Sequence, residues 1–451
     1  MKKTITLVLA FMSLLSYHVA NAQATFRIYD NEMFYGGYAA LTAIPDSLPP
    51  GEGVKRLKTS LLTRKFKDTE LALIGDRLSM KVLVQAACDN YDRGGHVVLA
   101  MTRKGDTAYA PTRMEIARFI TPFMNKNKKP DTVPYTYELN HIAMLLKEKS
   151  IRDSFDFWCE FEIFGTPGDA WQKIAGCATP VKRSDVFYGT VELTTSGSKT
   201  AEKNNILIPL VNQFKMNSKT PGKSDTIGVP NKSFTFTLTK KSYYTRAFLI
   251  TSSHGAGTNG EEYNRRNHYV FMDEAYMYGY LPGFESCEPY RKYNTQSNGI
   301  YGSTARTNEE WQSFSNWCPG AYVPTRIINL GTLEAGTHTI KLAVPEAAFA
   351  NADDNIETSL FVQGKTVPYT GLSEADVEVS EAVLYPNPAS EMITLITKSE
   401  ISEIRVYNVV GKEMLRDVSP EINIAPFDTG MYYVEVQFSN GQRAVKTFIK
   451  K

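Results

Sequence analysis

Three stretches of the 451-residue chain crowd together side chains that can do chemistry. The first is Cys88-Asp-Asn-Tyr-Asp-Arg93, where acid, aromatic, acid and base stand side by side. Such a run can position a polar ligand, and it also has the composition of a salt-bridged turn. The second is Phe157-Trp-Cys-Glu-Phe-Glu-Ile163. In a strand, period-two alternation puts Glu160 and Glu162 on one face and turns Cys159 and Phe161 to the other. Two like charges on one face repel unless solvated or paired, so this face is either a solvated surface or a patch turned toward a ligand. The third runs from Ser253-His-Gly-Ala-Gly257 through Gly260 to Glu262-Tyr-Asn-Arg-Arg-Asn-His268. Glycines flanking charged and amide groups suit a polar binding loop, and equally a solvent loop. Other catalytic kits are absent from the sequence: there is no HExxH, no GxSxG in a strand–turn–helix setting and no Walker A. No pair among the six histidines has metal-ligand spacing. Carboxylates remain as the reactive groups, suited to general acid and base work.

The elements that must hold these groups are strands. Leu78–Val84, His96–Met101, Phe155–Phe164, Ser233–Thr239, Arg246–Thr251 and Thr337–Val344 read as strands, many with apolar–polar alternation. Turn signals punctuate them at Gly94-Gly95, Gly105-Asp106, Thr166-Pro-Gly168 and Gly255-Ala-Gly257. His141–Lys149 is a short helix candidate, and long amphipathic helices are scarce. The pattern predicts an all-β protein: two adjacent jelly-roll or β-sandwich domains, then a small Ig-like C-terminal β-sandwich. Boundaries fall near Pro180–Ser184 and Gly364–Asp376. They divide the chain into 1–22, 23–180, 181–365, a linker at 366–382, and 383–451.

Composition narrows the partners. Lys+Arg is 50 and Asp+Glu is 48. Residues 1–22 hold Lys2, Lys3 and no acid, and their removal leaves 48 of each sign. A neutral chain is poorly made for neutralising phosphates or for binding an acidic membrane surface, so no nucleic-acid partner is expected. Lys2-Lys3, the apolar run Ile5–Leu15 and Ala20-Asn-Ala22 together read as a secretory signal peptide. Export permits disulfides, and five cysteines leave at least one unpaired in a monomer. With 25 tyrosines, flat amphipathic rings are plentiful both for sheets and for polar ligands such as sugars.

Two family resemblances rest on particular residues. The last segment opens on Leu384-Tyr-Pro-Asn-Pro388 and continues through Ile404-Arg-Val-Tyr-Asn-Val-Val-Gly411 and Gly430-Met-Tyr-Tyr-Val-Glu-Val436 to Lys446-Thr-Phe-Ile-Lys450. It resembles the C-terminal sorting domain of proteins exported by type IX secretion. That implies the type IX machinery as a partner and a secreted or outer-membrane-surface location in a Gram-negative bacterium. Residues 26 to 365 resemble the peptide-N-glycosidase F family. The resemblance is carried by Asp89-Asn-Tyr-Asp-Arg93, Glu115-Ile-Ala-Arg-Phe-Ile-Thr-Pro-Phe123, Glu262-Tyr-Asn-Arg-Arg-Asn-His268 and Asn316-Trp-Cys-Pro-Gly-Ala-Tyr-Val-Pro-Thr-Arg326.

Carried over position by position, the second resemblance implies Asp92 as the principal catalytic carboxylate, supported by Glu262 and Glu162. Glu160, on the same face, is the alternative to Glu162. Arg93, His254, Tyr91, Phe164, Tyr263, Arg266 and Trp317 are implied around the substrate. Arg93 is expected to hold Asp92 ionised, or to bind the amide oxygen. The resemblance also implies a Cys287–Cys318 disulfide; Cys88 is then expected to pair with Cys177, leaving Cys159 buried and free. Departures stand out. Phe164 replaces a tryptophan. Phe314 replaces an arginine, with Arg291 or Arg306 as possible substitutes. Gly260 and Asn264 replace cysteines, so that loop loses its staple. The implied activity is hydrolysis of the bond between asparagine and the innermost N-acetylglucosamine of N-linked glycoproteins and glycopeptides, by a monomer with no cofactor or metal. A glycoside hydrolase using paired carboxylates, or a surface lectin, are the competing readings.

Overall fold

The computed structural model describes residues 23–43, 49–167, 174–177, 184–296, 300–314, 316–368, 382–397, 400–408, 412–439 and 443–451. The expected signal segment lies outside them, as do parts of the two expected boundaries. The described residues form two compact units, Met1–Val367 and Pro368–Lys451.

The first unit opens with nine strands: β1 (Ala24–Tyr35), β2 (Val54–Lys58), β3 (Leu61–Lys65), β4 (Arg77–Ala86), β5 (Gly94–Arg103), β6 (Thr112–Ile120), β7 (Thr132–Glu138), β8 (Phe155–Ile163) and β9 (Asp185–Ser196). Nine more follow: β10 (Asn205–Met216), β11 (Asn231–Leu238), β12 (Ser242–His254), β13 (His268–Met272), β14 (Ala275–Tyr280), β15 (Tyr322–Val323), β16 (Arg326–Leu333), β17 (Gly336–Ala343) and β18 (Asn355–Lys365). The first sandwich stacks sheet β1-β9-β4-β7 on sheet β15-β6-β5-β8-β3-β2. Alternation decides which side chains fill it: Leu78, Met80, Val82 and Val84 point inward from β4, and Phe157, Cys159, Phe161 and Ile163 from β8. The second stacks β10-β18-β12-β16 on β11-β17-β13-β14 around Phe234, Leu249, Val270, Leu342 and Leu360.

Two sequence readings change. β9 lies beyond the expected boundary at 180–184, yet it pairs with β1 and β4 and completes the first sandwich. The chain crosses to the second sandwich after Ser196. Gly94-Gly95 is no turn but the start of β5. A Cβ at Gly95 would lie 2.1 Å from the Phe119 ring, so glycine serves close strand packing there.

The sandwiches are packed on one another through β6, β10, β12 and β18. Phe248 of β12 and Phe361 of β18 turn away from their own core and join the first. They stack at 4.7 Å, and His141 stacks on Phe248 at 4.3 Å. His141 belongs to the helix Asn140–Lys147, which matches the helix expected at 141–149.

The second unit holds β19 (Val383–Tyr385), β20 (Met392–Ile396), β21 (Ile401–Asn408), β22 (Glu413–Asp417), β23 (Glu421–Asn423), β24 (Gly430–Phe438) and β25 (Arg443–Lys450). Two sheets, β19-β20-β23 and β22-β21-β24-β25, close on Ile393, Val406, Val434 and Phe448.

Candidate active site

Asp92 sits in the loop between β4 and β5, and its neighbours make that loop rigid. Asp89 is fully buried. Its carboxylate accepts the backbone N–H groups of Tyr91 (2.9 Å) and Thr166 (2.6 Å) and pairs with Arg93 Nε (2.8 Å). At the end of β6, Thr121 Oγ1 donates to the Tyr91 carbonyl (2.9 Å) and accepts from the Arg93 N–H (2.8 Å). The Tyr91 ring meets Phe123 edge-on at 5.1 Å, and the Arg93 guanidinium covers its face at 4.9 Å. Cys88 is bridged to Cys177, as expected. Asp92 takes no part in this scaffold and is left half-buried at its surface.

Glu262 comes from a 3-10 turn, Glu261–Tyr263, in the second sandwich. Its neighbour Glu261 is the structural carboxylate. Fully buried, Glu261 accepts the N–H groups of Ala348 (2.7 Å) and Phe349 (3.1 Å) and pairs with Arg266 Nε (3.1 Å). Asn316 holds the turn from outside, its Nδ2 donating to the carbonyls of Glu261 (2.7 Å), Glu262 (2.9 Å) and Asn264 (3.1 Å). The missing staple has a polar replacement: Asn264 Nδ2 donates to the Gly260 carbonyl at 2.6 Å, between the same two positions. A Cβ at Gly260 would lie 2.1 Å from the Gly255 carbonyl oxygen, so this loop accepts only glycine there. Glu262 itself receives the Tyr263 phenol and a long contact from the Gly255 N–H at 3.4 Å.

Electrostatics ties the two loops together. Burial, then the charge of Glu262, pushes the Asp92 carboxyl up to about 8, against a weaker opposing pull from Arg93. Burial also raises Glu262, while the Tyr263 hydroxyl and the Gly255 N–H pull the other way. Tyr91 and Tyr263 are both raised by burial and by these two carboxylates. The expectation that Arg93 holds Asp92 ionised is therefore corrected. Arg93 is committed to Asp89, and burial together with Glu262 outweighs it.

Beneath the loops lies a buried ionic seam between the sandwiches. Arg118 of β6 donates through Nε and Nη2 to Glu115 (2.8 and 2.7 Å), and through Nη1 to Ser252 Oγ and the Glu357 carbonyl (both 2.7 Å). His96 Nδ1 lies 2.8 Å from Glu115, and its Nε2 lies 3.7 Å from Glu357. Burial would lower His96, but Glu115 and Glu357 raise it overall. His254 Nε2 meets Ser252 Oγ at 2.8 Å, and burial pushes its pKa down to about 4. The seam thus runs from β5, which carries the Asp92 loop, to His254, which precedes the glycine contacting Glu262. Among the described residues, no group of three or more His, Cys, Asp or Glu side chains is placed to hold a metal ion.

Residues 224–363 match the family model for peptide-N-glycosidase F, C terminal, and residues 383–451 match the secretion system C-terminal sorting domain. Over residues 224–363 the second sandwich is thus similar to that family. The sorting domain marks the chain for type IX secretion to the cell surface or extracellular space. No curated protein sequence matches the chain. The solved structure of PNGF-II in its C2 crystal form aligns at 17% identity and a TM-score of 0.54, over 78% of this chain and 66% of that one. The chain thus spans just under two thirds of PNGF-II. The structure of PNGase F, a glycosylasparaginase from Flavobacterium meningosepticum, aligns at 16% identity and a TM-score of 0.49, over 78% and 98%. At these identities the likeness to PNGF-II is one of fold.

Against the peptide-N-glycosidase F pattern, the remaining residues separate. Glu160 is buried and held by Arg113 (2.8 and 2.9 Å) and the Tyr109 hydroxyl (2.8 Å), which makes it structural. Glu162 is half-buried, accepts Ser60 Oγ at 3.1 Å, and lies opposite His96 in the β5–β8 register. Of the two glutamates, Glu162 is the one whose carboxylate is available. Phe164 meets Tyr38 edge-on at 5.1 Å; Tyr38 is 85% exposed and enlarges the reduced aromatic surface. Trp317 is buried with Ile120, Ile250 and Val323 and donates to the Ser253 carbonyl, so it packs rather than presents a ring. Arg266 is taken up by Glu261. Cys287–Cys318 forms, and Cys159 is buried and free. Of the two substitute arginines, Arg291 is paired with Glu288 at 2.6 Å. Arg306 lies 4.0 Å over the Phe314 ring, which stacks on Tyr263 at 5.6 Å.

Sequence reasoning missed Asp89, Thr121 and Asn316 as loop anchors, and His96, Arg118 and Glu357 as the seam. The one available signal was a Glu–Arg pair three residues apart in the otherwise apolar stretch Met114–Ile120 of β6.

Proposed function

We propose that this site hydrolyses the amide bond between asparagine and the innermost N-acetylglucosamine of N-linked glycoproteins and glycopeptides, releasing the whole glycan and leaving aspartate. The observation that carries the reading is the electrostatic coupling of Asp92 to Glu262, on loops of opposite sandwiches, with Asp92 raised to about 8. A carboxyl tuned near working pH can both take and return a proton, which is what general acid–base catalysis needs. Asp92 removes a proton as water attacks the amide carbon, directly or through a sugar hydroxyl. It then returns the proton to the nitrogen as the C–N bond breaks. The products are a peptide carboxylate and a glycosylamine, which decays to free glycan and ammonia. Glu262, steadied by Tyr263, and Glu162 bind the core sugar and order the water. Tyr91, Phe164 and Tyr38 offer ring faces to the glycan.

Product analysis of a digested glycopeptide tests this. The amidase reading expects aspartate on the peptide and an intact glycan. A single N-acetylglucosamine left on asparagine would mean a glycoside hydrolase, and an unchanged glycopeptide would mean a lectin. Either result overturns the proposal.

A further inference from the structure

A cavity lies in the first sandwich, at the end of β8 far from Glu162. It has a volume of about 350 Å³, within the size range of small-ligand sites. It opens where β3 ends and β8 begins. Asp156 on its wall is six residues along β8 from Glu162, or ~20 Å at strand rise. It also lies outside residues 224–363, the stretch shared with the peptide-N-glycosidase F model.

Its lining has a definite chemistry. The floor is apolar, with Phe66, Leu71, Phe155 and Phe157. Around it stand five cations, Lys65, Lys104, Lys147, Lys149 and Arg152, against three carboxylates, Asp68, Asp153 and Asp156. Two carboxylates are already used: Asp156 pairs with Lys65 at 2.7 Å and Asp153 with Lys149 at 2.5 Å. Lys147 is buried and satisfied by Asp76 and the Ser198 carbonyl. Asp68 is exposed at the rim. Among the described residues, Lys104 and Arg152 make no ion pair within 4.0 Å and share only the longer-range attraction of Asp153, which Lys149 already holds. Arg103 adds a further positive charge, 5.4 Å over the Phe155 ring. Arginine and lysine beside an apolar floor recognise an anion that carries a flat or ring-shaped apolar face.

We propose that this cavity binds an acidic saccharide, its carboxylate or sulfate held by Lys104 and Arg152 and its ring set on the aromatic floor. The demand for an anion follows from the cavity alone; the choice of a saccharide rests on the glycan-directed function proposed above. The acid can come from a free oligosaccharide or from an acidic antenna of a glycoprotein substrate, whose core sugar would sit in the other site.

Isothermal titration of the mature full-length chain tests this, using 3′-sialyllactose, lactose and a poly-glutamate peptide as probes. The expected result is one 3′-sialyllactose per chain, with lactose at least tenfold weaker. Lys104→Glu combined with Arg152→Glu should weaken 3′-sialyllactose at least tenfold. The milder Arg152→Gln should weaken it about threefold, and raising salt should weaken wild-type binding, since the rim is exposed to screening. Equal binding of lactose, an unaffected Arg152→Gln or a preference for the peptide would each overturn the proposal. KM for sialylated against desialylated glycopeptide separates the two sources: a lower KM for the sialylated form, lost in the charge-reversed variant, assigns the antenna. Equal KM values, with tight binding of free 3′-sialyllactose, assign the free oligosaccharide. Because binding is read as heat, these results do not depend on turnover. Lys104 and Arg152 flank the start of β8, ~20 Å along that strand from Glu162, so release of a neutral glycan should be unchanged.

Discussion

Replacing Glu262 by Gln should move the protonation midpoint of Asp92 by a calculable amount. Asp92 is raised to about 8 from an ordinary value of 3.8, first by burial and then by Glu262. The substitution keeps burial and removes only the charge. Taking a separation of ~6 Å for illustration, a unit charge at an effective dielectric of ~20 contributes ~3 kcal/mol, or ~2 units. Both carboxyls are half-buried, so solvent screening reduces this to ~1–2 units. The Asp92 midpoint should therefore fall to ~6–7. Carbon-13 NMR of aspartate-labelled protein reads it directly, with Asp92→Asn identifying the resonance. The rate–pH profile for glycopeptide hydrolysis should shift its limb by the same amount, although Glu262→Gln also lowers its height. A wild-type midpoint near 4, or one near 8 that Glu262→Gln leaves in place, would refute the coupling of the two loops.

Asp92→Asn should abolish hydrolysis and yet raise the melting temperature at alkaline pH. The folded-state pKa of Asp92 lies above its unfolded value, so its contribution to stability is fully present below ~4 and is lost as pH rises through about 8; the melting-temperature gap between variant and wild type should widen over that window. Asn316→Ala removes three hydrogen bonds from the Glu262 turn, and a urea melt should show ~1–3 kcal/mol of lost stability, with kcat/KM at least tenfold lower. Tyr38→Ala and Phe164→Ala should each raise KM several-fold with kcat held, consistent with ~0.5–1.5 kcal/mol for an aromatic contact. A fall in kcat alone would remove them from glycan binding.

Much of this architecture is legible in local pattern. Alternation along Leu78–Val84 and Phe155–Phe164 marks strands because one face of each must be buried, and β4 and β8 bury those residues. What pattern does not carry is pairing over long separations. Nothing near Asp185–Ser196 tells β9 to join β1 and β4 rather than the sandwich that follows it in sequence. The same limit governs the site. Asp92 and Glu262 are conspicuous as polar residues in turn-rich stretches, but their mutual effect depends on two loops brought together by folding. Arg93 shows the cost of reading neighbours in sequence as partners in space. Its partner is Asp89, four residues back, and Asp92 shifts up rather than down. The pair Glu160 and Glu162 is resolved by Arg113 and Tyr109, which come from elsewhere in the chain and claim only the first.

The central claim is that Asp92 and Glu262 form one amide-hydrolysing site across two sandwiches. Mass spectrometry of a glycopeptide digested in heavy-oxygen water tests it most directly, with Asp92→Asn alongside. The account predicts aspartate carrying one heavy oxygen at the former glycosylation site, and none with the variant. Asparagine left unconverted by the wild-type protein, or full conversion by Asp92→Asn, would contradict it.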